Sequence, residues 1–330
     1  MPKVSVIVPN YNHAPYLEKR FDTIFGQTYQ DFEVIILDDC STDNSREVLE
    51  KYRNHPKVSQ FVYNEKNSGS TFKQWNKGVA LAKGEYIWIA ESDDEAELEF
   101  LQTLVPKLDE NANVGIAFCQ SLRIDEQSCI IDSMAGVIWG GQSRKYDKSF
   151  LMSGSDECAD LMFLTNTIPN ASGVLFRKMT FNLSGGACEY MRLCGDWLTW
   201  VQILLNSDLY FLSKPLNRFR MHKKTVRDST APQVFLMEKS IIQSRIMESV
   251  FVHRKWLDAA AVENLKSFQD VIFAYPSKIT VLWTVNYLWN LKGFGLKVFS
   301  KMALIFLKKN QHPLRYCLAK IKRVFRRILS

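Results

Sequence analysis

Short apolar runs alternate with helically spaced apolar positions along the first third of the chain. Val4, Val6, Ile7 and Val8 read as a buried first strand that Pro9 cuts. Leu17, Phe21, Ile24 and Phe25 then fall at helical spacing. The run 34–37 is a second strand and ends in Asp38-Asp39; Ser41 or Thr42 is placed to cap a helix carrying Val48, Leu49 and Tyr52. The run 58–63 is a third strand. Phe72, Trp75, Val79 and Ala82 outline the next helix, which ends near Gly84. The run 86–90 is a fourth strand, followed by helical spacing at Leu98, Leu101, Val105 and Leu108. Pro106 is expected to kink that helix or end it early. Four such alternations in about 110 residues predict βαβ units and an α/β fold, with a Rossmann-like, mainly parallel central sheet flanked by helices.

From 115 to 177 the pattern turns β-rich and irregular, with runs at 116–119, 130–131, 137–139 and 174–176. Gly195-Asp196 opens a helix carrying Trp197, Trp200, Val201, Leu204 and Leu205. Two further strands, 209–212 and 216–219, lead into Arg220-Met221-His222-Lys223-Lys224. The remainder is helical in pattern, around 241–249 and 256–274. The apolar stretch 279–291 is too short for the roughly 20 residues of a membrane span. The organisation expected is a catalytic domain over 1–230 and a basic, mostly helical C-terminal extension over 231–330.

Charge separates the same two parts. Residues 1–230 hold 25 Lys and Arg against 30 Asp and Glu, whereas 231–330 hold 17 against 5. In the last segment Leu314, Cys317, Leu318, Ile321, Val324, Phe325, Ile328 and Leu329 share one helical face. Arg315, Lys320, Lys322, Arg323, Arg326 and Arg327 occupy the other. This pattern suits an anionic lipid surface, the alternative being a helix packed on its own domain or on a partner. No nucleic-acid-binding motif accompanies the charge, so nucleic acid is not expected as a partner. Seven cysteines without a C-x-x-C pair suggest a reducing compartment, and Lys3 with its brief apolar stretch does not read as a signal peptide. Both point to a cytoplasmic location, peripheral on the inner face of the plasma membrane.

The chemistry concentrates at strand ends. Asn10-Tyr11-Asn12, Asp38-Asp39 and Glu91-Ser92-Asp93-Asp94 follow the first, second and fourth strands, and a parallel sheet puts all three at one edge. Like charges packed this closely repel unless a cation relieves them. Hard divalent ions such as Mn²⁺ or Mg²⁺ take carboxylate oxygen and share it with substrate phosphates. A solvated acidic loop capping the next helix is the plainer alternative.

Four stretches in order carry a resemblance. They are Val4-Ser5-Val6-Ile7-Val8-Pro9-Asn10-Tyr11-Asn12; Gln27-Thr28-Tyr29 through Val34-Ile35-Ile36-Leu37-Asp38-Asp39-Cys40-Ser41-Thr42-Asp43; Asn76-Lys77-Gly78 through Gly84-Glu85-Tyr86-Ile87; and Glu91-Ser92-Asp93-Asp94. Together they resemble the family 2 inverting glycosyltransferases with the GT-A fold, of the bacterial cell-envelope polysaccharide type, over about residues 1–225.

The resemblance implies transfer of a sugar from a nucleotide diphosphate sugar, a UDP-sugar by preference, to a glycan acceptor, and the basic tail points to a lipid-linked one. Tyr11 would stack on the base with Pro9 shaping its loop, and Asp38 and Asp39 would lie against the nucleotide. Lys73 is a further nucleotide candidate. Glu91, Ser92 and Asp93 would contact the nucleotide sugar, and Asp93, Asp94 and His222 would hold Mn²⁺ or Mg²⁺. Arg220 and His222 match a basic motif that closes over the diphosphate. Asp196 matches the general base that takes the acceptor's proton; its other reading is a helix N-cap. Two departures stand out: Glu91 replaces the usual Asp, and Cys40 replaces the usual Gly. A sugar nucleotidyltransferase and a nucleotide-sugar-binding module without catalysis are the alternatives. The former usually shows a glycine-rich loop after the first strand, which Pro9-Asn10-Tyr11-Asn12 does not supply.

Overall fold

The computed structural model describes residues 1–134, 144–222, 230, 232–260, 263 and 264. Strands β1 (Val4–Asn10), β2 (Phe32–Asp38), β3 (Val58–Tyr63) and β4 (Tyr86–Ile89) lie side by side in the order β3-β2-β1-β4, all parallel. β1, β2 and β4 are buried along their whole length. That is why they read as unbroken apolar runs: helices cover both faces of a parallel sheet. On one face, Val4, Val6 and Val8 pack with Leu17, Phe21 and Ile24 of α1 (Ala14–Phe25), Leu49 of α2 (Ser45–Glu50) and Phe100, Leu104 and Leu108 of α4 (Phe100–Asp109). The opposite face receives α3 (Thr71–Leu81), where Gly78 lets the helix close on Ile7.

The sheet continues through β9 (Val174–Arg177), antiparallel to both β4 and β6 (Val114–Ile124), then β10 (Asp208–Arg220) and the two-residue β5 (Glu95–Ala96). β7 (Ile130–Ser133) pairs with β6, and β8 (Phe150–Ser153) with β10. Among the described residues of this unit are three further α-helices, α5 (Gly154–Ala159), α6 (Lys178–Leu183) and α7 (Gly195–Leu204).

Several expectations change in detail. The two strands expected at 209–212 and 216–219 are one, β10, with register shifts on either side of Pro215. Proline lacks the N–H for a ladder bond and is accommodated where pairing slips. Pro106 sits inside α4 instead of ending it. It falls in the last turn, where only one upstream carbonyl loses its partner, and its own carbonyl still accepts from Glu110 N–H at 2.9 Å. Neither Ser41 nor Thr42 caps α2. The helix starts at Ser45, whose N–H donates to Asp43 Oδ1 at 2.9 Å.

The chain divides into two compact units, Met1–Ser229 and a second beginning at Thr230. In the second, α8 (Pro232–Ser249) buries Ile242 and Ile246, and Asn264 Nδ2 donates to Gln243 Oε1 at 2.9 Å. Among the described residues no helix is long and apolar enough to cross a membrane. The apolar run 137–139, Lys223, Lys224, the stretch 279–291 and the basic amphipathic segment 314–329 lie outside the described residues.

Candidate active site

The carboxyl ends of β1, β2 and β4 open on one cleft of about 600 Å³. It lies where the strand order turns back, since β1 is flanked by β2 on one side and β4 on the other. Of the residues expected from the sequence, Pro9, Tyr11, Asp39, Glu91, Ser92, Asp93, Asp94 and Asp196 line it. Tyr11 is 45% exposed, so its ring is accessible from the cleft it lines.

Asp38 does not line the cleft. Its fully buried carboxylate accepts from Asn10 Nδ2 at 2.9 Å, Ser41 Oγ at 2.5 Å and Arg46 Nε at 3.2 Å, which ties the loop after β2 to the end of β1. Asp39 faces the cleft while accepting from Asn64 Nδ2 (2.6 Å), Ser68 N–H (2.9 Å), Ser68 Oγ (2.7 Å) and Gln74 Nε2 (2.9 Å). It therefore fixes the 64–74 loop as well as one wall. Lys73 is not among the residues lining the cleft, and its Nζ donates to Ser68 O at 3.1 Å. The loop Cys40 adopts φ +62°, the left-handed region that favours glycine. Cys40→Gly is expected to stabilise the fold by about 1 kcal/mol and raise the melting temperature by about 2–4 °C. A thermal melt showing no gain would mean that the Cys40 Sγ contact to Glu65 O, at 3.5 Å, outweighs the strain.

The acidic stretch separates into distinct roles. Asp93 Oδ2 lies 2.7 Å from His222 Nε2, and His13 Nδ1 lies 4.0 Å from Asp93 Oδ1. The two imidazole rings stack at 5.7 Å, and Ser92 Oγ lies 2.9 Å from His13 Nδ1. One donor atom from each of His13, Asp93 and His222 lies within 4.8 Å of the others, a fit for a single metal ion. Burial opposes the Asp93 charge, but the His222 hydrogen bond and the two imidazoles hold its carboxyl below the usual range, and the same bond raises His222.

Glu91 Oε1 accepts from Trp75 Nε1 at 2.8 Å; burial first, then Asp93, pushes its carboxyl up to about 8. Burial and Asp93 likewise push Asp94 up to about 6. Three acids cannot all stay ionised here without compensation, which is the electrostatic condition a divalent cation meets.

Two residues expected at the site have other partners in the structure. Asp94 is not in the His13–Asp93–His222 group, because Oδ1 accepts from Arg220 N–H at 2.9 Å and Oδ2 from Asn170 Nδ2 at 3.0 Å. Arg220 is 2% exposed and does not face the cleft. Nε donates to Asp93 O (2.7 Å), Nη1 to Asp125 O (2.5 Å) and Nη2 to Glu95 Oε1 (2.7 Å). It clamps the acidic loop. The residue sequence reasoning missed is His13, although its place just beyond Asn10-Tyr11-Asn12 put it at the correct sheet edge.

The far wall is the start of α7. Asp196 lies in its first turn, with Cys194 at the N-cap, and Asp196 Oδ2 accepts from Asn166 Nδ2 at 2.9 Å. Gly195 packs on Phe72: a Cβ there would lie 2.4 Å from the ring, so an acid before Asp196 has no room in this chain. Trp197 and Trp200 are core residues at 2% and 0% exposure, Trp197 Nε1 donating to Met162 O at 3.0 Å.

One open cleft is thus lined both by His13 and Asp93, members of a group able to hold a cation, and by the Asp196 carboxylate. The family described as "Glycosyl transferase family 2" matches residues 5–136 of this chain. GlyG of Streptococcus pneumoniae, a glycosyltransferase, is 38% identical over 107 residues, 32% of this chain and 35% of that protein. TarS of Staphylococcus aureus, a poly(ribitol-phosphate) β-N-acetylglucosaminyltransferase, is 39% identical over 115 residues, 34% of this chain and 20% of that protein. The aligned stretches thus span between a fifth and about a third of those relatives. The crystal structure of TarS residues 1–349 in complex with UDP-GlcNAc superposes with a TM-score of 0.63 at 20% identity, covering 88% of this chain and 81% of that one. A mannosyltransferase from Pyrobaculum calidifontis, in complex with GDP-Man and Mn²⁺, superposes with a TM-score of 0.53 at 16% identity, covering 98% and 80%. At these identities the structures establish the GT-A fold.

Proposed function

We propose that this chain is an inverting, divalent-cation-dependent glycosyltransferase that moves a sugar from a UDP-sugar to a glycan hydroxyl. One observation carries the reading: His13 and Asp93 line the same cleft as Tyr11, Asp39 and Asp196, and His222 joins the first two within reach of one metal ion, its Nε2 2.7 Å from Asp93 Oδ2. Tyr11 offers its exposed ring to the base, and the TarS complex with UDP-GlcNAc supports uracil. His13, Asp93 and His222 would hold the cation; two imidazoles with one carboxylate suit Mn²⁺ better than Mg²⁺, which prefers an all-oxygen shell. When bound, such an ion neutralises the charge of a diphosphate leaving group.

Asp196 takes the proton of the acceptor hydroxyl as it attacks from the face opposite the leaving group, and Asn166 orients its carboxylate. Attack from that face inverts the anomeric centre. The alternative of a binding module without catalysis predicts donor binding with no transfer.

The relatives support a bacterial envelope polysaccharide as product, and the basic segment 313–330 supports a lipid-linked acceptor at the cytoplasmic face of the membrane. One experiment tests the reading. The full chain and a version lacking 313–330 are assayed against a panel of nucleotide sugars, with and without Mn²⁺ and with and without anionic vesicles. Mn²⁺-dependent turnover of a UDP-sugar is the expected result. Absence of cation-dependent binding to any nucleotide sugar would overturn the activity, and equal vesicle binding by the two versions would overturn the membrane role.

A further inference from the structure

Arg20 has no part in the mechanism above, yet it is the most unusual side chain near the site. It lies on α1 at 0% exposure, and none of its three guanidinium nitrogens has a hydrogen-bond partner. Arginine is seldom buried this way, because a buried charge is tolerated only where something compensates it. Part of the compensation is the indole face of Trp88, 5.0 Å from the guanidinium carbon.

The rest comes from the acidic stretch. Trp88 belongs to β4, which runs directly into Glu91, and α1 packs against β5, which begins at Glu95. Asp94, Asp93, Glu91 and Glu95 all act on Arg20 electrostatically. They oppose the burial that lowers its pKa to about 10, so that it stays charged at neutral pH. Four carboxylates thus fall within the five positions 91–95. Arg220 pairs with Glu95 at 2.7 Å, and Arg20 is a second buried positive charge that acts on the same stretch.

We propose that Arg20 is a positioning residue that limits how tightly the acidic cluster holds its cation. It acts as a fixed buried positive charge close to the acidic stretch that carries Asp93. The proposal rests on the cation reading of that group. A site that must release a nucleotide diphosphate with its cation in each cycle gains from a counter-charge that weakens the hold, and Arg20 supplies one without occupying a ligand position.

The test measures Mn²⁺ binding to the full chain at pH 8, without nucleotide, by electron paramagnetic resonance of free Mn²⁺. Wild type, Arg20→Met and Arg20→Lys are compared. Methionine keeps the bulk against Trp88 and removes the charge; lysine keeps the charge. Arg20→Met is expected to bind Mn²⁺ at least about tenfold more tightly, because a like charge near the ion is gone. Arg20→Lys should stay within about threefold of wild type on the same ground. Melting curves are taken in parallel, and the rise in melting temperature caused by Mn²⁺ should be larger in Arg20→Met than in wild type. A merely structural arginine would lower the melting temperature and leave Mn²⁺ affinity unchanged, which overturns the proposal. Failure of Arg20→Met to fold even in millimolar Mn²⁺ also overturns it, since Arg20 would then serve the core and not the cluster. If wild type binds no Mn²⁺ at all, the cation reading itself falls.

Discussion

Asp196→Asn is expected to lower the rate of sugar transfer by about 10²–10⁴-fold, the usual worth of a positioned general base. Donor affinity should change little. The exchange is nearly isosteric, and the new amide oxygen still accepts from Asn166 Nδ2, 2.9 Å from the present carboxylate. Asp196 also lies in the first turn of α7, where a negative charge stabilises the helix by about 0.3–1 kcal/mol. That stability loss is small beside the loss of rate, so a melting curve and a rate measurement separate the two roles. Full transfer activity in Asp196→Asn would remove it as the base. Lost transfer with lost donor binding would mean that the side chain shapes the cleft and takes no proton.

The second large effect is expected at Asp93, and it is sharpest when compared with Asp94. Asp93→Asn removes the only carboxylate of the His13–Asp93–His222 group. Mn²⁺ affinity should fall by about 100-fold or more, since even outer partners of a metal site are worth about 10–100-fold. Nucleotide binding should then lose its dependence on added Mn²⁺, as calorimetry with and without chelator would show. Asp94→Asn is expected to act differently. Its two oxygens receive Arg220 N–H and Asn170 Nδ2, so the substitution leaves one buried donor badly matched and costs about 1–3 kcal/mol of stability. Its effect on Mn²⁺ affinity should be smaller than that of Asp93→Asn. A larger effect at Asp94 than at Asp93 would mean that the cation takes the neighbouring acid.

The parallel half of the fold and its active edge were legible because period and burial are local properties. Val4, Val6 and Val8 fill one face of β1 while Ile7 meets α3 on the other, so the strand shows as an unbroken apolar run. A parallel sheet then sends the residues after β1, β2 and β4 to one edge. Tyr11, Asp39 and Asp93 could therefore be grouped before any coordinates, and Asp196 came from the resemblance carried by those motifs.

Direction within that edge was not legible. Asp38 and Asp39 are adjacent, yet one is buried under Asn10, Ser41 and Arg46 and the other lines the cleft. Asp93 and Asp94 divide in the same way, one toward two histidines and the other toward Arg220, 126 residues away in sequence.

What the sequence by itself determined is therefore the parallel strands, the shared edge and the set of chemical groups brought to it, because side-chain alternation and apolar burial follow from composition over a few residues. Only the tertiary structure decided which acid meets the histidines, that His13 joins them, that Arg220 clamps the loop and that Arg20 lies charged in the core. Each of these depends on loop dihedrals and on partners supplied by distant strands and helices, and the physical cost of an unpaired buried charge selects among them only once those elements are packed.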